Sequence, residues 1–209
     1  MVDYDRNLAE MEDKLKNSDD NRATKRRQIE EQAACLYRER GVDSASVIEV
    51  MNLVGMTHGG FYKHYSSKAE LAELACKAAF SQVESARCEW RETMHSGTNP
   101  IEHYADQYLA KRHRDDPGTG CPIVGFLNDV IRGKNIEGLK GEYAKGLEKF
   151  IFEIRTLLKT NDLGNSDYKS HAILAMLVGA LSISRATQGK QISDDILESV
   201  KKFIKDQNF

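Results

Sequence analysis

Residues 46 to 70 constrain the chain more than any other stretch, because they read as two short helices, a tight turn and the start of a third helix. Ser46 followed by Glu49 is a capping box, so a helix begins there. Val47, Val50, Met51 and Val54 then recur at the spacing of one buried helical face. Gly55 stands where that helix must stop and supplies the left-handed backbone of a C-terminal cap. Thr57 is placed to cap the next helix, which carries Phe61 and Tyr65 as an inward i, i+4 pair. Ser67 and Glu70 repeat the capping box and open a further helix at Lys68. Helix, glycine turn, helix is the helix-turn-helix pattern, whose second helix enters the major groove of DNA.

The outer surface of that second helix fits the pattern. With Phe61 and Tyr65 turned inward, Thr57, His58, Gly59, Tyr62, Lys63 and His64 are left for the outside. Hydroxyls, imidazoles and an ammonium suit phosphates and base edges, and no carboxylate occurs from Met51 through Ala69 to repel them. Gly59 and Gly60 each cost about 1 kcal/mol in a helix relative to alanine. Two readings of them stand open: a bare backbone that approaches DNA closely, or a pair that only shapes the turn.

Thr57-His-Gly-Gly-Phe-Tyr-Lys-His-Tyr-Ser-Ser-Lys68-Ala-Glu-Leu71 resembles the recognition-helix signature of the TetR (tetracycline-repressor) family of bacterial transcription regulators. Gly55, Phe61, Tyr62, His64, Tyr65, Lys68 and Leu71 stand at signature positions; Met51 and Val54 depart from it, where the family usually has alanines. The resemblance implies an all-α fold. A three-helix DNA-binding domain would occupy residues 21–70 and a helical ligand-binding and dimerisation domain residues 71–209, after an acidic extension over 1–20. It further implies a homodimer joined through the last two helices, a palindromic operator in double-stranded DNA, and release by a small-molecule effector. The DNA-binding set carried over is Arg22, Arg26, Arg27, Ser46, Thr57, His58, Gly59, Tyr62, Lys63, His64 and Lys68.

Charge distribution agrees with that division. The net charge of −2 says nothing for nucleic acid, but residues 21–70 carry +2, against −4 for residues 1–20 and zero for the remainder. Residues 1–20 read as loosely ordered, with a short amphipathic helix through Leu8, Met11 and Leu15 as the alternative. Thr24 to Arg40 is the first helix, with Ile29, Ala33, Leu36 and Tyr37 inward and Gly41 as its stop. Arg22, Lys25, Arg26 and Arg27 crowd its start, where basic charge opposes the helix dipole. Phosphate contact is a reason to tolerate that conflict.

Beyond the motif, apolar spacing predicts helices over Leu71 to Met94, from Pro100, over Pro122 to Ile131, up to Lys159, over Tyr168 to Thr187 and over Ser193 to Phe203. Loops are expected at Arg114–Gly120 and Asn161–Asp167. Tyr168 to Thr187 is apolar or small almost all round, more surface than one neighbouring helix covers. No apolar run approaches the ~20 residues of a membrane span, and the polar start lacks a signal peptide, so a cytoplasmic protein is expected.

An enzyme reading finds no purchase. None of the six histidines forms an HxxxH or HExxH pair, the four cysteines show no CxxC spacing, and no P-loop, GxGxxG or GxSxG occurs. No cofactor or metal is therefore expected. Trp90, Tyr104, Tyr108, Phe126, Phe150 and His171 are candidates to line a mostly apolar ligand pocket. Cys121 is a redox candidate, since it precedes Pro122 at a helix start whose positive end favours a thiolate. Two alternatives remain beside the ligand-responsive repressor: a thiol-based sensor of electrophiles or oxidants acting through Cys121, and a helical ligand-binding adaptor that does not bind DNA.

Overall fold

The computed structural model describes residues 2–134, 136–158 and 163–207. Every regular element among them is a helix: α1 (Val2–Arg40), α2 (Val47–Leu53), α3 (His58–Phe61), α4 (Lys68–Glu92), α5 (Pro100–Tyr108), α6 (Lys111–Asp115), α7 (Pro122–Arg132), α8 (Glu137–Leu157), α9 (Leu163–Ala186) and α10 (Gln191–Asp206). Three boundaries differ from the sequence reading. Helix α1 is continuous from Val2, so the expected loose extension is helical backbone joined to the first helix. Arg114 and Asp115 lie within the short helix α6 rather than in a loop. Helix α9 begins at Leu163, so Leu163–Asp167 of the expected loop is helical backbone. The face expected from Leu8, Met11 and Leu15, and the part of the 161–167 loop before Leu163, lie outside the described side chains and residues.

Helices α1, α2 and α3 gather around one small core. Ile29, Ala33 and Tyr37 of α1, Val50 and Met51 of α2, and Phe61 and Tyr65 at α3 are all buried. Ser46 makes the full capping box: its Oγ accepts from Glu49 N at 3.1 Å, and its own N–H donates to Glu49 Oε2 at 2.7 Å. Gly41 and Gly55 end α1 and α2 with φ of 81° and 67°, the left-handed conformation that side chains resist. The two other expected caps come out differently. Thr57 makes no side-chain cap bond; Ser67 does cap α4, its Oγ accepting from Glu70 N at 3.1 Å, but Glu70 turns its carboxylate to Ser66 N and Oγ, both 2.7 Å, instead of to Ser67.

Helix α4 then carries the chain away from this core, packing on α1 at one end and on α8 along its length. Leu71, Ala75, Ala79 and Val83 form its buried stripe. Helices α8, α9 and α10 pack in succession, and α5 closes against α10. Helix α7 touches α1, α4, α8 and α9 and so stands between the two halves. Gly125 allows that approach: a Cβ there would come within 2.6 to 3.1 Å of Arg38 Cγ, Cβ and Cα. Asp129, one turn on, accepts a hydrogen bond from Val42 N at 2.8 Å, tying α7 to the turn that leads into α2. Arg38 completes the joint. It is buried, and donates to Ala34 O, to Gly120 O at 2.9 Å and to Gln82 Oε1 at 2.5 Å. Thus α4 and α7 both connect the small core to the rest.

Candidate nucleic-acid interface

Helix α3 is four residues long, shorter than expected, because adjacent Gly59 and Gly60 weaken helix formation. The chain continues through 62–64 as tight turns, with His64 N donating to Phe61 O at 2.9 Å and Tyr65 N to the same oxygen at 3.0 Å. Phe61 and Tyr65 face inward as the i, i+4 spacing requires. The Tyr65 hydroxyl donates to Arg26 O at 3.0 Å and lies 3.3 Å from Glu30 Oε1. Burial, with the Glu30 carboxylate beside it, pushes that phenol upward.

Thr57, His58, Gly59, Tyr62 and Lys63 form the exposed outer ridge, with Tyr62 68% exposed and its ring edge-on to His58 and Phe61. Gly60 is different in kind from Gly59: a Cβ on Gly60 would touch Met56 and Met51 at 3.5 and 3.7 Å, whereas one on Gly59 would meet nothing within 4 Å. The non-alanine Met51 is thus accommodated beneath Gly60, and the fold itself makes no demand on Gly59.

The basic cluster at the start of α1 divides. Arg22, exposed, donates from Nη2 to Lys63 O at 2.9 Å and so sits directly beside the ridge, with Lys25 on the same open groove. Arg27 projects outward, 74% of its side chain exposed, with only Glu31 at 3.6 Å. Arg26, expected to meet phosphate, is instead a structural tie. It donates to Glu30 Oε1 (3.1 Å), His64 O (2.9 Å) and Glu70 Oε1 (3.1 Å), and lies 4.8 Å over the Tyr65 ring. Its guanidinium is spent on clamping the end of α3 to α1. His64 is a second correction: it is half-buried with Nδ1 unpartnered, and burial followed by the charges of Arg22, Arg26 and Lys63 depresses its pKa. Lys68 is half-buried, its Nζ donating to Asp43 O at 3.4 Å in an exposed bond. Ser46 is exposed, but its hydroxyl already caps α2.

In the second half, the expected pocket residues separate. Trp90, Tyr108 and Phe150 line a cavity of about 50 Å³, and Tyr104 packs edge-on to Trp90 and stacks on Tyr108. Phe126 is buried in the core away from that cavity, and His171 lies exposed on α9; neither belongs to it. Sequence reasoning missed Arg87 and His113, which border the same space. Arg87 falls one turn after Val83 on the buried stripe of α4, a placement that marks a charge inside a core.

Cys121 lies on the cavity wall at the N-cap of α7, 1% exposed. Its N–H donates to His113 Nε2 at 2.9 Å, while His113 Nδ1 contacts Tyr108 O at 2.6 Å. Arg38 grips Gly120 O, and Arg185 crowds Gly120 from the other side while donating to His113 O at 2.8 Å. His113 accepts a proton poorly here: burial first, then Arg185, hold its pKa near about 4 against an ordinary 6.5. The unfolded state therefore binds more protons between those values, and stability is lost as pH falls from about 6.5 to about 4. The expected slope from this group is about 1.4 kcal/mol per pH unit. Denaturant melts at pH 7, 6 and 5 measure it; His113→Asn, which leaves nothing to titrate, should flatten that interval.

Residues 29–75, which span the core of α1 through the first turns of α4, match the family described as "Bacterial regulatory proteins, tetR family". That segment is similar to the DNA-binding part of the TetR family. The chain's likeness to solved structures extends far past the matched segment. A TetR-family transcriptional regulator from Cytophaga hutchinsonii is 18% identical, with a TM-score of 0.71, covering 88% of this chain and 94% of that one. The reduced form of Escherichia coli NemR is 16% identical with a TM-score of 0.68, covering 86% and 96%. A TetR transcriptional regulator from Chloroflexus aurantiacus J-10-FL is 19% identical with a TM-score of 0.67, covering 88% and 96%. At these identities the likeness carries the fold. No curated protein matches the chain. Among the described residues, no helix is long and apolar enough to cross a membrane, and no group of His, Cys, Asp and Glu is arranged to hold a metal ion.

Proposed function

We propose that the protein is a homodimeric, ligand-responsive repressor that lays α3 in the major groove of a palindromic operator. The observation that carries the reading is the ridge of Thr57, His58, Gly59, Tyr62 and Lys63: exposed, free of carboxylates, and flanked by the outward Arg22, Lys25 and Arg27. Base edges would be met near His58 and Gly59, and phosphates by Tyr62, Lys63 and the arginines. Two such ridges are needed to read two half-sites about one helical turn apart. Exposed Ile183 on α9, with Ile192 and Phe203 on α10, supports pairing of these helices with a second copy. An effector in the cavity beside Cys121 would act through α4 and α7, favouring a dimer whose ridges are wrongly spaced.

Gly59 supplies the test. Gly59→Ala adds a methyl that meets nothing in the fold, so stability should hold or rise by about 0.5–1 kcal/mol. Binding to duplexes selected from a random pool should nevertheless fall at least tenfold. Unchanged duplex binding by this variant would sink the groove-facing assignment of α3.

A further inference from the structure

The cavity beside Trp90 is bordered by polar atoms that lack partners, and their chemistry points to an occupant. Arg87 Nη1 and the Tyr108 hydroxyl are buried without a well-formed hydrogen bond, and the Tyr104 hydroxyl behind them has only the Arg87 guanidinium for company. The nearest company of the Tyr108 hydroxyl is the Cys121 thiol, a weak partner at best. The other polar side chains on this wall are already engaged: His113 through both ring nitrogens, and Thr119 through its hydroxyl to Asp116 Oδ2 at 2.6 Å. What is left poorly satisfied is the Arg87 guanidinium and the Tyr108 hydroxyl, and a buried polar group left without a partner costs about 1–3 kcal/mol. An acceptor entering the space would relieve it.

Charge narrows the class. Arg87 Nε and Arg91 Nη2 each lie 2.5 Å from the two oxygens of one carboxylate, Glu153. Two guanidiniums therefore share a single negative charge. Arg91 is half exposed and screened by solvent, so the guanidinium that borders the cavity is that of Arg87, stacked 3.7 Å from the centroid of the Phe150 ring on the same lining. A cation offers these donors no acceptor, and an anionic oxygen accepts a stronger, charge-assisted bond from the guanidinium than a neutral carbonyl does.

We propose that this cavity takes a small organic carboxylate, its oxygens held by Arg87 and the Tyr108 hydroxyl and its apolar body packed on Trp90 and Phe150. The inference rests on the ligand-responsive reading above and names the chemistry of its effector. Size limits the occupant. A void of about 150 Å³ accommodates benzene, so the 50 Å³ present is smaller than even a short-chain acid needs, and its walls must give way to admit one. An aromatic acid enters only as the half-exposed Trp90 swings outward.

Trp90 is the only tryptophan of the chain, so its emission reports on this cavity alone. The full-length protein is titrated with propionate and benzoate, and with propionamide and benzamide as neutral counterparts. A saturable change with either acid, at least tenfold tighter than with its amide, is expected. No saturable change with both acids, or an acid no tighter than its amide, overturns the proposal. Tyr108→Phe removes an unpartnered hydroxyl, so its Tm should be equal or higher, while acid affinity drops about tenfold; unchanged affinity in that variant also overturns it. Duplex binding measured on the same samples separates the two readings. A protein that binds duplex but ignores every acid loses the effector class only, whereas one that fails to bind duplex loses the repressor.

Discussion

Glu153→Ala is expected to destabilise the protein by about 3–5 kcal/mol, the range for stripping one partner from a buried ion pair. Glu153 and Arg87 are 7% and 5% exposed at their side chains, joined at 2.5 Å across the packing of α4 on α8. Without the carboxylate, Arg87 stays buried under Phe150 with no counter-charge, since Arg91, the other partner of Glu153, is itself a cation. Replacing both members, as in Arg87→Met with Glu153→Leu, should recover most of the loss, because an apolar pair of similar volume avoids the desolvation cost altogether. Urea midpoints at fixed protein concentration measure both. A single-variant loss below about 1 kcal/mol, the scale of a surface pair, would mean that water reaches this site.

Combined Tyr62→Ala and Lys63→Ala substitution should weaken duplex binding about a hundredfold or more while leaving the fold intact. Each contact is worth about 1–3 kcal/mol and is lost twice in a two-fold complex. The fold is spared because Tyr62 is largely exposed, and because Arg22 holds the backbone carbonyl of Lys63 rather than its side chain. Losing Lys63 should also make the affinity less dependent on salt, since one fewer phosphate is neutralised per ridge. Circular dichroism and the urea midpoint provide the control, and unaltered duplex affinity would place the interface elsewhere.

Local chemistry explains which parts were legible beforehand. The capping box at Ser46, the stop at Gly55 and the inward pair Phe61 and Tyr65 involve residues within four positions of one another, so spacing alone specifies them. The ties that Arg26 makes were not legible because its partners His64 and Glu70 lie 38 and 44 positions away, and only the folded chain brings them together. Helical periodicity marks Phe126 and His171 as residues on helices without saying which neighbour each face meets; one went to the core and the other to the outside. Thr57 fits the sequence rule for a cap but forms no cap bond. Glu153 offered a usable signal, a lone carboxylate between Phe150 and Leu157 on an apolar stripe, though its partners on α4 lie 62 and 66 positions away. Asp129 offered none, because its role depends on the backbone N–H of Val42, 87 positions away.

Affinity for a selected duplex as a function of salt tests the central claim most directly, followed by fluorescence anisotropy with the unmodified protein. The account predicts an inverted repeat in the selected sequences and a steep linear fall of log affinity with log salt, as phosphate contacts release counterions. A flat salt dependence, or a pool that yields no inverted repeat, would contradict it.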